Sequence, residues 1–179
     1  MGYEFHTEIL RNIAIQMKPA IYVELGVFLG ETLNAVLPWV TEEAYACDIY
    51  DNFAANIPPD QRHKVHIYSN TRTDALAIGW RETVKKPIDL IFIDADHSKE
   101  AVVEDILAFL PFLKEDTGLM VLHDMWPPDR GQTAPGFCGD GYLLKPWLNV
   151  QSELEYCTLP LQYGVGIIRK IGKAWQNGY

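Results

Sequence analysis

At 179 residues and 48% hydrophobic content, the chain is long enough for one domain with a real core and too apolar for a disordered segment. Its formal net charge of -9 argues against a broad basic face for nucleic acid, and no stretch approaches the ~18–20 apolar residues that cross a bilayer. The start, Met1 to His6, has no basic region followed by an apolar one, and the three cysteines, Cys47, Cys138 and Cys157, match neither a disulfide framework nor a zinc spacing, so a cytoplasmic chain with reduced thiols is expected.

The first periodic segment runs from Glu4 to Met17. Phe5, Ile9, Ile13 and Met17 recur every four residues with Leu10 beside them, which predicts an amphipathic helix closed by Pro19. Ile21 to Leu25 reads as a buried strand. A turn containing Gly26 and Gly30 follows, then a helix from about Glu31 that Pro38 limits. A strand, a glycine turn and a helix N-terminus in succession form a nucleotide-binding corner of a parallel α/β sheet. The spacing is not that of a dinucleotide site, because Phe28 and Glu31 stand where its second and third glycines belong. Glu24, near the strand tip, would repel a pyrophosphate and suits a ligand with a positive centre.

Ala44 to Cys47 predicts a second strand ending at Asp48, a carboxylate with acceptor sites for two ribose hydroxyls. Tyr50 to Asp60 is a loop or short helix stopped by Pro58 and Pro59. Val65 to Tyr68 is a third strand. Ser69 or Asn70 after it faces an adenine edge or caps the next helix, and the sequence leaves both open. That helix covers Asp74 to Val84, with Leu76, Trp80 and Val84 in phase and Gly79 as its weak point. Ile88 to Ile93 is the clearest strand, apolar enough to be covered on both faces, and runs into Asp94, Ala95, Asp96 and His97. A helix starts near Ser98, with Val102, Ile106, Phe109 or Leu110, and Leu113 as its buried stripe. Leu119 to Leu122 is a fifth strand ending at His123 and Asp124. Met125 to Gly141 is a long loop, rich in proline and glycine, placed above the strand tips where an acceptor would lie. Tyr142 to Val150 reads as a helix, and Leu154 to Thr158 and Val165 to Ile171 as a closing pair of strands.

The spacing E-x-G-x-x-x-G from Glu24 to Gly30 resembles the first motif of class I S-adenosylmethionine (SAM) methyltransferases. Their fold is α/β, a doubly wound seven-stranded sheet, mostly parallel with an antiparallel last strand, in a Rossmann-like arrangement. Five β-α units and a two-strand finish agree with it, and residues 1–179 are expected to form a single methyltransferase domain. The run Leu90 to Glu100, with Gly118 to Asp124, is similar to the small-molecule O-methyltransferase branch that includes macrocin- and cephamycin-type enzymes and, more distantly, catechol O-methyltransferase.

The resemblance implies SAM as cofactor, held by Glu24, Gly26, Gly30, Asp48, Asn70 and Asp94. It implies a small-molecule acceptor methylated at a hydroxyl oxygen, with neither membrane nor nucleic acid as partner; assembly into a homo-oligomer is left open. It also implies a divalent metal, often magnesium, held at the tips of the fourth and fifth strands. Asp94 and Asp124 match two of the metal positions, but His123 stands where relatives carry an acid. Imidazole suits zinc, manganese or iron better than magnesium, or no metal at all.

Methyl transfer is a direct displacement, so the protein must align the acceptor oxygen and remove its proton. His97 or His123 is the expected base, or a metal lowers the hydroxyl's pKa instead. Asp94 then ligates the metal, orients His97 or positions the methionyl end of SAM. Asp96 and Ser98 are expected only to cap a helix. Trp126, Phe137, Tyr142 and Trp147 either line an acceptor pocket or seal the loop. Two other functions remain: a metal-dependent hydrolase using Asp94, Asp96, His97, His123 and Asp124, which leaves Glu24, Gly26, Gly30 and Asp48 unexplained, and a catalytically silent SAM- or nucleotide-binding module.

Overall fold

The computed structural model describes residues 4–134 and 136–172. Its strands are β1 (Ile21–Leu25), β2 (Glu43–Cys47), β3 (Val65–Tyr68), β4 (Leu90–Ile93), β5 (Leu119–Leu122), β6 (Leu154–Leu159) and β7 (Val165–Lys170). They form one seven-stranded sheet in the order β3-β2-β1-β4-β5-β7-β6. The pairings from β3 through β5 are parallel, and β7 runs antiparallel to both β5 and β6. The sheet is therefore the mostly parallel one that the sequence predicts. No helix among the described residues is long and apolar enough to cross a membrane.

The helices are α1 (Phe5–Met17), α2 (Glu31–Val36), α3 (Thr73–Gly79), α4 (Lys99–Phe109) and the short α5 (Lys145–Leu148). Strand alternation divides the core in two. Tyr22, Ala44, Ala46, Leu90, Phe92 and Val121 point to the face covered by α1 and α2. Val23, Leu25, Cys47, Ile91, Ile93 and Met120 point to the opposite face, where Trp80, Ile106 and Phe109 pack. Burial on both faces explains the nearly unbroken apolar runs of β1 and β4. Truncating a fully buried side chain such as Leu25 or Trp80 to alanine would cost about 2–5 kcal/mol.

Five local expectations are corrected. The buried stripe of α1 is His6, Thr7, Leu10 and Ala14, one position on from the Phe5-Ile9-Ile13 row. The hydroxyls of Thr7 and Thr32 meet at 2.9 Å between α1 and α2, and Ile9, Ile13 and Met17 pack only at the rim. The helix expected over Asp74 to Val84 stays α-helical to Gly79 and closes through a wider π-type turn, Trp80–Val84. The following helix ends at Phe109 rather than Leu113, because Pro111 continues the chain as a tight turn, Leu110–Phe112. Residues 142–150 form a tight Gly141–Leu144 turn and α5 in place of one helix. Ile88 stands outside β4 and makes an isolated bridge to Leu113.

Candidate active site

The loops after β1, β2, β4 and β5 gather at the carboxyl edge of the parallel strands, where open α/β sheets bind ligands. Gly26 is required there on two counts. Its φ is +82°, and a Cβ would lie 2.1 Å from the carbonyl oxygen of Asp94. The turn after β1 is thus pressed against the tip of β4, and the Asp94 N–H donates to the Leu25 carbonyl at 2.8 Å. Gly30 also has a left-handed φ, +83°, and begins α2 as its N-cap.

Asp48 braces this turn. Its Oδ2 accepts from the N–H groups of Val27 and Phe28, each at 2.8 Å, and its Oδ1 accepts from Tyr50 N–H at 2.8 Å. The first two bonds hold Phe28 at a left-handed φ of 51°, which a residue with a Cβ rarely adopts. A carboxylate has about four acceptor sites. With three occupied, Asp48 keeps one for a ligand and cannot accept from both ribose hydroxyls, a correction to the sequence-based expectation. Asn70 is exposed at the tip of β3 with φ 52°. It does not cap α3, whose N-cap is Arg72.

Glu24 also departs from its expected role. Its side chain lies on the α1/α2 face of β1 and the residue is 1% exposed, so it reaches no open surface. Tyr22 OH donates to its Oε2 at 2.5 Å. Burial pushes its pKa up to about 8 against the opposing effect of that bond, so the group is a neutral acid at neutral pH rather than a partner for a cation.

Four titratable residues meet at the tips of β4 and β5. Asp94 Oδ1 lies 3.0 Å from His123 Nδ1 and 3.2 Å from His97 Nε2. Asp124 places Oδ2 3.0 Å from His97 Nδ1 and Oδ1 3.4 Å from His123 Nδ1. Asp124 is itself in the left-handed region, φ 57°. His97 Nδ1 also meets the Phe137 carbonyl at 2.5 Å. Its ring therefore bridges both carboxylates and the loop above. Burial alone would raise the Asp94 pKa, but the bonds from His123 and His97 outweigh it and hold the group well below the usual carboxylate range. Asp94 in turn raises His97 to about 9. Burial works to lower His123, yet Asp94 outweighs it and holds that imidazole above its ordinary value.

Residues 136–141 close over this cluster. A Cβ on Gly139, φ +58°, would lie 2.4 Å from the His97 carbonyl oxygen, and Gly141 N–H donates to that oxygen at 2.9 Å. Asp140 Oδ1 accepts from Lys99 N–H at 2.7 Å and Asp96 Oδ1 from Ser98 N–H at 2.8 Å, so these two acids start α4. Asp96 has the structural role expected of it, whereas Ser98 occupies the N-cap position without a side-chain capping bond. Cys138 is buried against Asp124, and burial first, then that carboxylate, pushes its thiol up to about 12. Among the aromatics, Trp126 and Phe137 are exposed, whereas Trp147 packs against the core. A cleft lined by Asp94, His97, His123, Asp124, Cys138 and Gly141 remains between loop and sheet.

One participant carried no functional expectation. His6 is 8% exposed, and its ring centroid is 4.1 Å from that of His123 and 5.8 Å from Phe92. Burial, then the charge of His123, lowers its pKa. The shifted face of α1 is what delivers it, so a correct phase for that helix was the only available signal. Cys138 had none, since a lone cysteine in a loop has no pattern.

Asp94, His123 and Asp124 can each offer a ligand atom within 4.8 Å of the others. The donor set is mixed nitrogen and oxygen. Magnesium, which wants oxygen ligands in a near-octahedral array, does not fit it.

A family model described as a methyltransferase domain matches residues 23–125. No curated protein matches the sequence. Solved structures share the fold. The O-methyltransferase TomG from Streptomyces achromogenes, involved in tomaymycin synthesis and solved with SAM, is 14% identical with a TM-score of 0.77, covering 96% of this chain and 82% of that one. A Podospora anserina methyltransferase bound to SAH is 18% identical with a TM-score of 0.72, covering 96% and 80%. A Bacillus cereus O-methyltransferase in complex with SAH is 14% identical with a TM-score of 0.70, covering 95% and 83%.

Proposed function

This chain belongs to the methyltransferase domain family, and from that premise we propose that it is a SAM-dependent O-methyltransferase acting on a small molecule, with residues 1–179 as a single domain. The observation that carries the reading is the meeting of Asp94, His97, His123 and Asp124 within 3.0–3.4 Å of one another's nitrogens and oxygens, beside the turn at Gly26. The turn from Gly26 to Gly30 seats the methionyl end of the cofactor. Asp48, through its one remaining acceptor site, and Asn70 take the adenosine end. Glu24 acts from beneath, as a buried neutral acid that supports the turn.

In the reaction the acceptor oxygen attacks the methyl carbon in line with the departing sulfur. The carbon–oxygen bond forms as the carbon–sulfur bond breaks, and the sulfonium becomes a neutral thioether. The hydroxyl proton leaves to the neutral form of His97, the minority near neutral pH because Asp94 holds its pKa at about 9, so transfer rises with pH up to that value; His97 is the more exposed imidazole, with 31% of its side chain accessible against 12% for His123. Asp94 stabilises the resulting imidazolium and holds its ring. Trp126 and Phe137, exposed on the loop above, supply apolar surface for the acceptor.

Calorimetry with SAM, SAH and NAD tests the cofactor, and mass spectrometry of reactions with phenol, catechol and sugar acceptors tests the transfer. Binding of SAM and SAH at micromolar affinity, with methylated product from a hydroxyl acceptor, is expected. Tight NAD binding without SAM binding would overturn the reading.

A further inference from the structure

We infer that the acceptor is an acidic phenol, a hydroxylated aromatic ring carrying a carboxylate, and that Lys145 and Trp126 at the rim of the cleft select it. The inference rests on the reading of the cleft as the acceptor site. Lys145 Nζ stands 4.3 Å from the centroid of the Trp126 ring. An ammonium has three donors, and an indole face attracts its charge but offers no acceptor atom. No carboxylate among the described residues lies within ion-pair distance of Lys145. The acids of the neighbouring loop are engaged elsewhere. Asp124 meets His97, Asp129 accepts from the N–H groups of Gly131 and Gln132, and Asp140 accepts from Lys99 N–H. Lys86 and Lys114, by contrast, are each paired to an acid, Glu43 and Asp89, at 2.6 and 2.5 Å. Partial burial therefore costs Lys145 water without supplying a counter-charge, and it lowers the pKa of the amine.

Both groups are fixed beside the cleft. Trp126 follows closely on Asp124 at the tip of β5. Its N–H donates to the Tyr163 carbonyl at 2.7 Å, and a Cβ on Gly164 would lie 2.3 Å from the Trp126 nitrogen. Lys145 begins α5 directly after the Gly141–Leu144 turn, whose first residue lines the cleft. Trp126, Phe137 and Tyr163 all expose aromatic surface, and the Tyr163 ring centroid is 6.4 Å from that of His123. A flat ring fits such surroundings. The charges then order its two ends. Asp94 and Asp124 at the inner end repel a carboxylate, whereas the unneutralised Lys145 at the rim attracts one. The hydroxyl enters first, towards His97. The net charge of -9 does not override this, because charges more than about 8 Å apart are largely screened at physiological ionic strength.

Binding and turnover are read separately, so this inference and the assigned reaction fail separately. Full-length protein in the presence of SAH is titrated by calorimetry with protocatechuate, a catechol bearing a carboxylate, and with its neutral amide. KM and kcat for both are then measured with SAM. Protocatechuate is expected to bind about tenfold tighter than the amide, with the difference carried by KM. In about 0.5 M sodium chloride the preference should shrink to roughly twofold. Lys145→Gln should bring the ratio of the two affinities close to one, and Lys145→Arg, which keeps the charge, should preserve it. Equal or tighter binding of the amide, binding of neither compound, or a preference untouched by Lys145→Gln would overturn the inference. Transfer to both acceptors with equal KM would overturn it while leaving methyl transfer standing. A preference that depends on Lys145 without any transfer would uphold it and overturn the reaction. If a melt shows Lys145→Gln unfolded, the wild-type ratio, its salt dependence and Lys145→Arg still decide the matter.

Discussion

The turn after β1 and the cluster at the tips of β4 and β5 lie on one edge of the sheet but are built on different principles. The turn is made of backbone. Gly26 and Gly30 supply its positive φ values, Asp48 ties two of its N–H groups, and the carbonyl of Asp94 fills the space a Cβ would need. The cluster is made of side chains: two imidazoles and two carboxylates that set one another's protonation. A backbone site tolerates almost no change of shape and little depends on pH. A side-chain cluster keeps its shape under conservative replacement but changes its chemistry.

Substitutions can break or sharpen that contrast. The largest effect is expected at Gly26. Alanine there would need to move the Asp94 backbone, at a cost of about 4 kcal/mol or more, so a thermal melt should show a protein that is barely folded. A normal melting temperature and intact SAM binding would remove the claim that the turn is shape-limited. Next comes His97→Ala. It should leave SAM affinity within a few-fold and lower transfer by about 10²–10⁴-fold, read as SAH formation. A loss of cofactor binding in place of turnover would move His97 from the acceptor side to the cofactor side.

Glu24 gives a third test, between the two regions. Unfolded, its carboxyl ionises near 4.5, but in the native protein it ionises only at about 8. Between those values unfolding releases a proton, so this group makes stability fall as pH rises, by about 1.4 kcal/mol per pH unit, until it levels off above the native pKa. Glu24→Gln should erase that slope in urea melts across the window. An unchanged slope would show that Glu24 is not the buried neutral acid described. The smallest effect is expected from Asp48→Asn. The amide keeps one acceptor oxygen for three N–H groups, so stability should fall by about 1–2 kcal/mol and SAM should bind more weakly. Unchanged affinity would confine Asp48 to bracing the turn.

What could be read from sequence followed how local the cause was. The strands were legible because burial on both faces demands apolar runs such as Leu90-Ile91-Phe92-Ile93. Gly26 and Gly30 were legible because positive φ leaves few alternatives to glycine. The face of α1 was misread by one position because Thr7, a polar residue, is buried through a partner at Thr32 that no helical periodicity can reveal. That slip hid His6, which arrives beside His123 from 117 residues away along the chain. Asp48 was placed at the right strand tip, but its bonds to Val27, Phe28 and Tyr50 depend on how the turn after β1 folds back. Glu24 was read as a tip residue, whereas strand alternation sends it to the same side as Tyr22 and under α2.

Asp140 ties the acceptor side to the rest of the fold. Its carboxylate begins α4 by accepting from Lys99 N–H, and the same loop rests on the His97 carbonyl through Gly139 and Gly141. Any movement that lifts residues 137–141 off the cleft must uncap that helix. A cap of this kind is worth about 0.5–2 kcal/mol, so it acts as a light latch that biases the loop towards closure by roughly two- to thirtyfold. Entry to the cleft and the firmness of α4 are then two readings of one equilibrium, and whatever steadies the start of that helix also narrows the door.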